Sequence, residues 1–408
     1  MANVDRFKGV LSASIDKVNG ILASNIDKIN GVSLVLRIWR SINDGCPYRS
    51  GIAILESDGT AWAWGDNAVG QLGTNNRTSY SSPVSVVGAH LFSSVCTGEA
   101  QDASPTYTSR SFGIHASDGS AWGWGANEAG QLGDNTRTSR SSPVSVVRNA
   151  SYIQVATGYD PTFFLDGATG SLWACGFNGY YALGTNNTTS YSSPRSVYGN
   201  RSYLTVSAGW NNGHALDSDG YCYSWGWASV GRLGTGDTSN VATPKRVLGN
   251  RVCSYLSEWG ESGVQLVTAD GSSWVWGLNG EGQLGDGTLT NRTSPVSTLG
   301  NRSYREVCAS YFATVWIDGD GHMWASGYNG INDRGYLGVG SVGLKESSPM
   351  SVLGDIVVEH VSKGSHIAYA LEQGGINLWG WGGNNRGQLG TGDTVFKSFP
   401  VLVLTPPS

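Results

Sequence analysis

From about residue 34 onward the chain is a succession of short runs in which apolar and polar residues alternate, separated by turns rich in Gly, Asn, Asp and Ser. A period of two is the pattern of a β-strand with one face buried. No segment carries a convincing helical period except, weakly, the N-terminus. The runs recur in a constant order of four. The first is apolar and ends on a small residue, as at Val95-Cys96, Val155-Ala156, Val206-Ser207, Val307-Cys308 and Val361-Ser362. The second leads to Asp-Gly, at Asp58-Gly59, Asp118-Gly119, Asp219-Gly220, Asp270-Gly271 and Asp320-Gly321. That dipeptide predicts a two-residue hairpin turn, because it supplies the positive φ angles such a turn requires. The third alternates aromatics before Gly, at Trp62/Trp64, Trp122/Trp124, Tyr223/Trp225, Trp274/Trp276 and Trp379/Trp381. A long polar loop then ends in Pro and a Val-rich strand, as in Pro83-Val84-Ser85-Val86 and Pro295-Val296.

A landmark in the polar loop sets the period. Leu-Gly recurs at Leu72, Leu132, Leu183, Leu233, Leu284, Leu337 and Leu389, with spacings of 60, 51, 50, 51, 53 and 52 residues. One four-stranded unit cannot bury both faces alone, whereas units stacked around an axis bury them against neighbours. The expected fold is therefore all-β: a seven-bladed β-propeller of four-stranded antiparallel blades over residues 34–404. A short N-terminal extension, 1–33, precedes it and a tail, 405–408, follows. Eleven of the 16 tryptophans fall in the third run, which assigns them to packing between blades rather than to a ligand. Cys175 and Ser326 stand where Trp is usual, predicting slightly looser packing there. Pro400-Val401-Leu402-Val403 is the seventh Pro-Val strand and is expected to clasp the first blade.

Glycine, at 59 of 408 residues against 12 prolines and without a Gly-X-Y period, points to many tight turns. Charge is sparse at 14% and nets −5, so no concentrated positive field exists to select phosphate backbones; nucleic acid is not an expected partner. No run approaches the roughly 18 apolar residues that cross a bilayer, and no apolar h-region follows Met1-Ala2-Asn3-Val4-Asp5-Arg6-Phe7-Lys8. Membrane insertion and a secretory signal are thus not expected. The cysteines, Cys46, Cys96, Cys175, Cys222, Cys253 and Cys308, are widely spaced and read as isolated buried thiols in a reducing compartment.

Two segments carry resemblances. Trp64-Gly65-Asp66-Asn67-Ala68-Val69-Gly70-Gln71-Leu72-Gly73 and Trp381-Gly382-Gly383-Asn384-Asn385-Arg386-Gly387-Gln388-Leu389-Gly390 are similar to the repeat of the regulator of chromosome condensation family, and the similarity spans about residues 34–404. It implies a propeller. Function is left open, since that family includes an exchange factor for the small GTPase Ran, a secreted β-lactamase inhibitor and many interaction modules. The exchange factor's basic tail has no counterpart in residues 1–33, which hold four basic and three acidic residues. There, Ser14-Ile15-Asp16-Lys17-Val18-Asn19-Gly20 is echoed by Asn25-Ile26-Asp27-Lys28-Ile29-Asn30-Gly31, and the segment resembles short N-terminal pieces of tailed-phage virion proteins, fibre-type adhesins included. This second resemblance implies docking on other virion proteins through Ile15, Val18, Ile26 and Ile29, by adding a strand or strap to a partner surface.

In an up-and-down meander alternate loops share a face. Loops between the first and second runs therefore lie with the Gly-Gln-Leu-Gly loops, while Asp-Gly hairpins and Gly-Asn-Arg turns lie opposite. The first face is the variable one, with an aromatic beside Asn, Asp or Glu in most loops. Its candidate binding residues are Asp44, Tyr48, Asp102, Tyr107, Arg110, Tyr159, Asp160, Trp210, Asn211, Trp259, Glu261 and Tyr311. Aromatic anchors with polar neighbours suit protein hot spots and sugar faces; the bland alternative is that the rings plug the channel mouth. Catalytic, metal and cofactor residues are not expected. Gly280-Glu281-Gly282-Gln283-Leu284-Gly285 matches a dinucleotide pattern without the strand–helix context, and Asp318-Gly319-Asp320-Gly321 sits at a hairpin and lacks the later Glu of a calcium loop.

The leading expectation is a non-enzymatic phage virion structural protein, located in the virion and assembled in the host cytoplasm. Its N-terminal segment would bind other virion proteins, and its propeller face a host-surface protein or glycan. Two alternatives stand beside it: a cytoplasmic interaction propeller that regulates or inhibits a GTPase or hydrolase, and a purely architectural decoration protein.

Overall fold

The computed structural model describes residues 59–403 apart from 99–108, 149, 258–263, 311, 331–334, 341–344, 365 and 375–376. Before residue 59 it describes the backbone of short strands together with Ser50. Contacts divide the chain into Met1–Arg37 and Ile38–Ser408. In the first unit the echoed segments each place a two-residue pair: Lys17–Val18 with Ile21–Leu22, and Lys28–Ile29 with Val32–Ser33. The side chains of Ile15, Val18, Ile26 and Ile29 lie outside the described residues.

The second unit is all-β, built of four-stranded antiparallel sheets whose strands follow in chain order. Six are described through all four strands: blade 2 (92–145), blade 3 (152–196), blade 4 (203–246), blade 5 (253–297), blade 6 (304–351) and blade 7 (358–402). Another four-stranded sheet, blade 1 (39–85), has its first two strands described almost entirely as backbone. Seven equivalent blades were expected; six are complete at this level, and the remaining sheet is characterised by its outer half.

Blade 4 shows the plan, with strands Tyr203–Ala208, Asn212–Asp217, Cys222–Gly226 and Val241–Arg246. First strands of neighbouring blades approach one another, so they lie innermost, and the Pro-containing strands form the outer edge. An outer edge tolerates Pro because no further strand needs its missing N–H. The circuit closes without the expected clasp. Lys397–Leu402 pairs with Leu378–Gly382 of its own blade, through Val401 opposite Gly380. Closure comes instead from side chains: Trp64 of blade 1 donates to the Gln388 carbonyl at 2.9 Å and lies edge-on to Tyr369.

The same device joins the other blades. Trp124, Trp225 and Trp276 are fully buried and donate through Nε1 to the carbonyls of Gln71, Ala182 and Arg232 in the preceding blades, at 2.9, 3.1 and 3.1 Å. Glycine is required beneath the indole: a Cβ on Gly184, where φ is +65°, would stand 2.8 Å from the Trp225 ring. Cys175 and Ser326, which stand where Trp is usual, are both fully buried. Volume lost from the third strand reappears on the second, as Phe164 opposite Trp173 and Trp316 opposite Trp324. Where the third strand keeps its inner Trp, the corresponding residues are mostly small: Gly113, Ala215 and Ala370, with Leu266 in blade 5.

Two local motifs hold the loops. Buried Asn67, Asn127, Asn178, Asn279 and Asn384 each accept from the Leu amide five residues on and donate to carbonyls nine and eleven residues on. The Asp-Gly turns differ from the expected two-residue form. In the blade 4 turn, residues 217–221, only Gly220 has positive φ, and Asp217 Oδ1 accepts from the amides of Asp219 and Tyr221 at 3.1 and 2.9 Å. The carboxylate two positions earlier thus folds a longer turn. In blade 6 the same arrangement occupies Asp318, whose other oxygen accepts from Trp324 Nε1 at 2.8 Å, so this stretch is a turn. On that side each Gly-Asn-Arg arginine covers an aromatic ring of the next blade: Arg201 over Tyr223 at 4.2 Å, Arg251 over Trp274 at 3.4 Å and Arg302 over Trp324 at 3.6 Å.

Candidate binding face

Loops between first and second strands and loops between third and fourth strands meet on one side, as the meander requires. Tyr159 and Asp160, in the first loop of blade 3, donate through their amides to Gly209 and Trp210 in the matching loop of blade 4. Trp227, opening the third-to-fourth loop of blade 4, donates its amide to the Asn211 carbonyl at 2.9 Å. These backbone bonds set a run of rings across blades 3 and 4. Tyr159 lies 5.5 Å from Trp210, Trp210 5.7 Å edge-on from Trp227, and Trp227 5.7 Å from Tyr180. Arg232 stacks beneath Trp227 at 4.1 Å.

Of the residues expected from the sequence, Arg110, Tyr159, Asp160, Trp210 and Asn211 come together here. Arg110 plays a different part from the one expected. It is fully buried and donates to Thr157 Oγ1 at 2.7 Å and to the carbonyls of Gly158 and Tyr159 at 2.6 and 2.9 Å. It therefore shapes the neighbouring loop from below and presents nothing to solvent. Burial pulls its guanidinium down to about 10, still charged at neutral pH. Asp160 is half-buried, and burial raises its carboxyl to about 7, with Arg110 and a hydrogen bond from Asn211 opposing the rise. Asp44, Tyr48, Asp102, Tyr107, Trp259, Glu261 and Tyr311 lie outside the described residues.

Phe177, Tyr180 and Trp227 belong to the face and were missed. Their signal was a departure from the repeat. Where copies 1 and 2 read Trp64-Gly65-Asp66-Asn67 and Trp124-Gly125-Ala126-Asn127, copies 3 and 4 carry an aromatic at the third position, in Cys175-Gly176-Phe177-Asn178 and Trp225-Gly226-Trp227-Ala228, as copy 6 does with Tyr328. Tyr181 also takes the place of Gly70 and Gly130 and retains a positive φ of 63°, a conformation that costs a side-chain-bearing residue energy. A second aromatic group lies at blades 6 and 7, where Phe312 and Tyr336 flank His366 at 5.2 and 4.9 Å. Below the blade 4 loops, His214 is fully buried and its imidazole is pushed down to about 3 by burial and by Arg232, so it is neutral. Among the described residues no group of three or more His, Cys, Asp and Glu is placed to hold a metal ion, and no helix is long and apolar enough to cross a membrane.

Sheets, register and inter-blade indoles define a β-propeller of four-stranded antiparallel blades carrying loop-borne aromatics on one face. The regulator of chromosome condensation (RCC1) repeat matches residues 58–100, 118–165, 169–216, 219–255, 270–317 and 377–408. The chain belongs to that family. It is 27% identical to the Arabidopsis thaliana ultraviolet-B receptor UVR8 over 365 residues, covering 86% of this chain and 79% of the receptor. It is 30% identical over 290 residues to the human E3 ubiquitin-protein ligase HERC2, covering 68% of this chain but only 6% of the ligase. Among solved structures, human WBSCR16 superposes with a TM-score of 0.74 at 22% identity, covering 85% of this chain and 95% of that one. Prp20p of Saccharomyces cerevisiae, whose structure is titled with its binding to Gsp1p and histones, gives 0.71 at 19%, covering 90% and 88%. These two likenesses concern the fold.

Proposed function

We propose that this chain is a non-enzymatic interaction propeller that docks a protein partner on the face formed by the first-to-second and third-to-fourth loops of blades 3 and 4. The observation carrying this reading is the linked run Tyr159–Trp210–Trp227–Tyr180, in which Tyr180 is 44% exposed and Trp210 and Trp227 are half-buried. Rings anchored on one side and open on the other are the usual chemistry of a protein hot spot. Each is held by the backbone of a rigid blade, so little order is lost on binding. Relatives named as a receptor, a ubiquitin ligase and a protein that binds Gsp1p and histones favour a regulator acting through protein contacts. They lend no support to attachment of a virion to a host surface, nor to a virion location, and that leading expectation from the sequence gives way to its interaction alternative.

The test is site-specific photocrosslinking in the native cell. A photoreactive residue at Tyr180 should capture a discrete protein, and one at Leu299 on the outer rim should not. Capture from the rim alone, or undiminished capture at Tyr180 after Trp210→Ala and Trp227→Ala, would count against this face. A nucleotide-release assay with a small GTPase found in the captured fraction tests the exchange-factor version.

A further inference from the structure

Beside the aromatic run, between blades 2 and 3, lies a depression of about 340 Å³ walled by Glu128, Gln131, Tyr159, Asp160 and Phe177 with two alanines. That is near the lower end of the range for small-ligand pockets, about 300–1,000 Å³, and suits one long side chain. Its charge is one-sided, because two carboxylates line it and no Lys, Arg or His does. Arg110, whose charge acts on Asp160, is buried behind the loop and is directed at Thr157 Oγ1 and at the carbonyls of Gly158 and Tyr159. Among the described residues no ion pair within 4.0 Å reaches Asp160. Phe177, 37% exposed, and Tyr159, half-buried, line the depression together with these carboxylates.

We propose that this depression receives a positively charged side chain, lysine or arginine, of the partner protein. The proposal rests on the reading of this face as the docking site and names the chemistry one part of it selects. A cation gains on both counts: it pairs with Asp160 and Glu128, and it lies against the negative faces of Tyr159 and Phe177. An apolar side chain would strip water from Asp160 without replacing its hydrogen bonds, and an anion would meet the Glu128 charge and oppose the ionisation of Asp160. Gln131 is held as part of the wall, since its Oε1 accepts from the Ala129 amide at 2.9 Å.

The experiment uses the full chain with three capped tripeptides, acetyl-Gly-Arg-Gly-amide, acetyl-Gly-Lys-Gly-amide and acetyl-Gly-Gln-Gly-amide, observed by saturation-transfer NMR. The two cationic peptides should give saturable signals, at least fivefold stronger than the neutral one at equal concentration. Asp160→Asn should weaken them severalfold while the thermal unfolding midpoint confirms that the variant is folded. Glu128→Gln, an exposed position, serves as a second variant and should weaken them less. Equal signals from all three peptides, no saturable signal, or an unchanged response in Asp160→Asn would overturn the proposal. The photocrosslinked partner separates the two readings. If its capture needs Trp227 but not Asp160, the face stands and the cation pocket falls; if it needs neither, both fall.

Discussion

The relocation of aromatic volume between strands makes a quantitative prediction. Trp225→Ser empties the joint between blades 3 and 4. It removes a fully buried indole packed edge-on to Phe163 at 5.3 Å and breaks the bond to the Ala182 carbonyl. Truncating a buried Trp costs about 3–5 kcal/mol, and the lost hydrogen bond about 1 kcal/mol more. Against a typical stability of about 5–15 kcal/mol that is a severe loss. Ala215→Trp alone should also destabilise, by about 1–3 kcal/mol, because Ala215 is fully buried and the site is already filled. Together the two changes reproduce blade 6, where Ser326 sits beside Trp316 and a Cβ on Gly285 would meet the Trp316 ring at 3.0 Å and Ser326 Oγ at 3.2 Å. The double variant should therefore be more stable than Trp225→Ser, with a favourable coupling of about 2–3 kcal/mol, at the upper end for residues in contact. Urea unfolding followed by far-ultraviolet circular dichroism measures all four corners of the cycle. A double variant at or beyond the sum of the singles would refute the idea that either strand can fill the joint.

Other consequences are simpler to state. Asn279→Ala strips the Leu284 amide and the Thr288 and Thr290 carbonyls of their buried partner and should cost roughly 3 kcal/mol in a thermal or urea melt. Arg251→Ala, losing the cover over Trp274, should cost only about 0.5–1 kcal/mol, because the guanidinium is partly in water; differential scanning calorimetry checks it. Asp160 has a pKa raised in the folded state, so the fold binds its proton more tightly than the unfolded chain does. Its contribution is greatest below the ordinary value of 3.8 and is lost as pH rises to about 7; the gap in stability between the wild type and Asp160→Asn should shift in that direction over this window and level off above it.

Much of the architecture was legible because each blade is written out repeatedly. Alternating runs, Leu-Gly at a spacing near 51 residues and the paired tryptophans specify sheets and the joints between them, and repetition makes weak local signals add. The compensation by Phe164 and Trp316 was also present in the sequence, as two large residues on the second strand of the two copies in which Cys175 and Ser326 replace the second Trp of the third strand. It was missed because only register shows that residues from different strands fill one space. For the same reason ring closure was misjudged: a Pro-Val strand reads alike whether it completes its own sheet or another.

The candidate face divides in the same way. Chain order alone placed Tyr159, Asp160, Trp210 and Asn211 on one side, because strand parity decides which loops share an end. Burial did not follow from chain order. Arg110 and Tyr159 are both loop-flanking polar or aromatic residues in the sequence, yet one lies under the neighbouring loop and the other opens to solvent. Local pattern determines what a segment becomes, since it depends on torsions and on neighbours a few residues away. Which groups meet water depends on the packing of one blade against the next, and that exists only once the sheets are assembled.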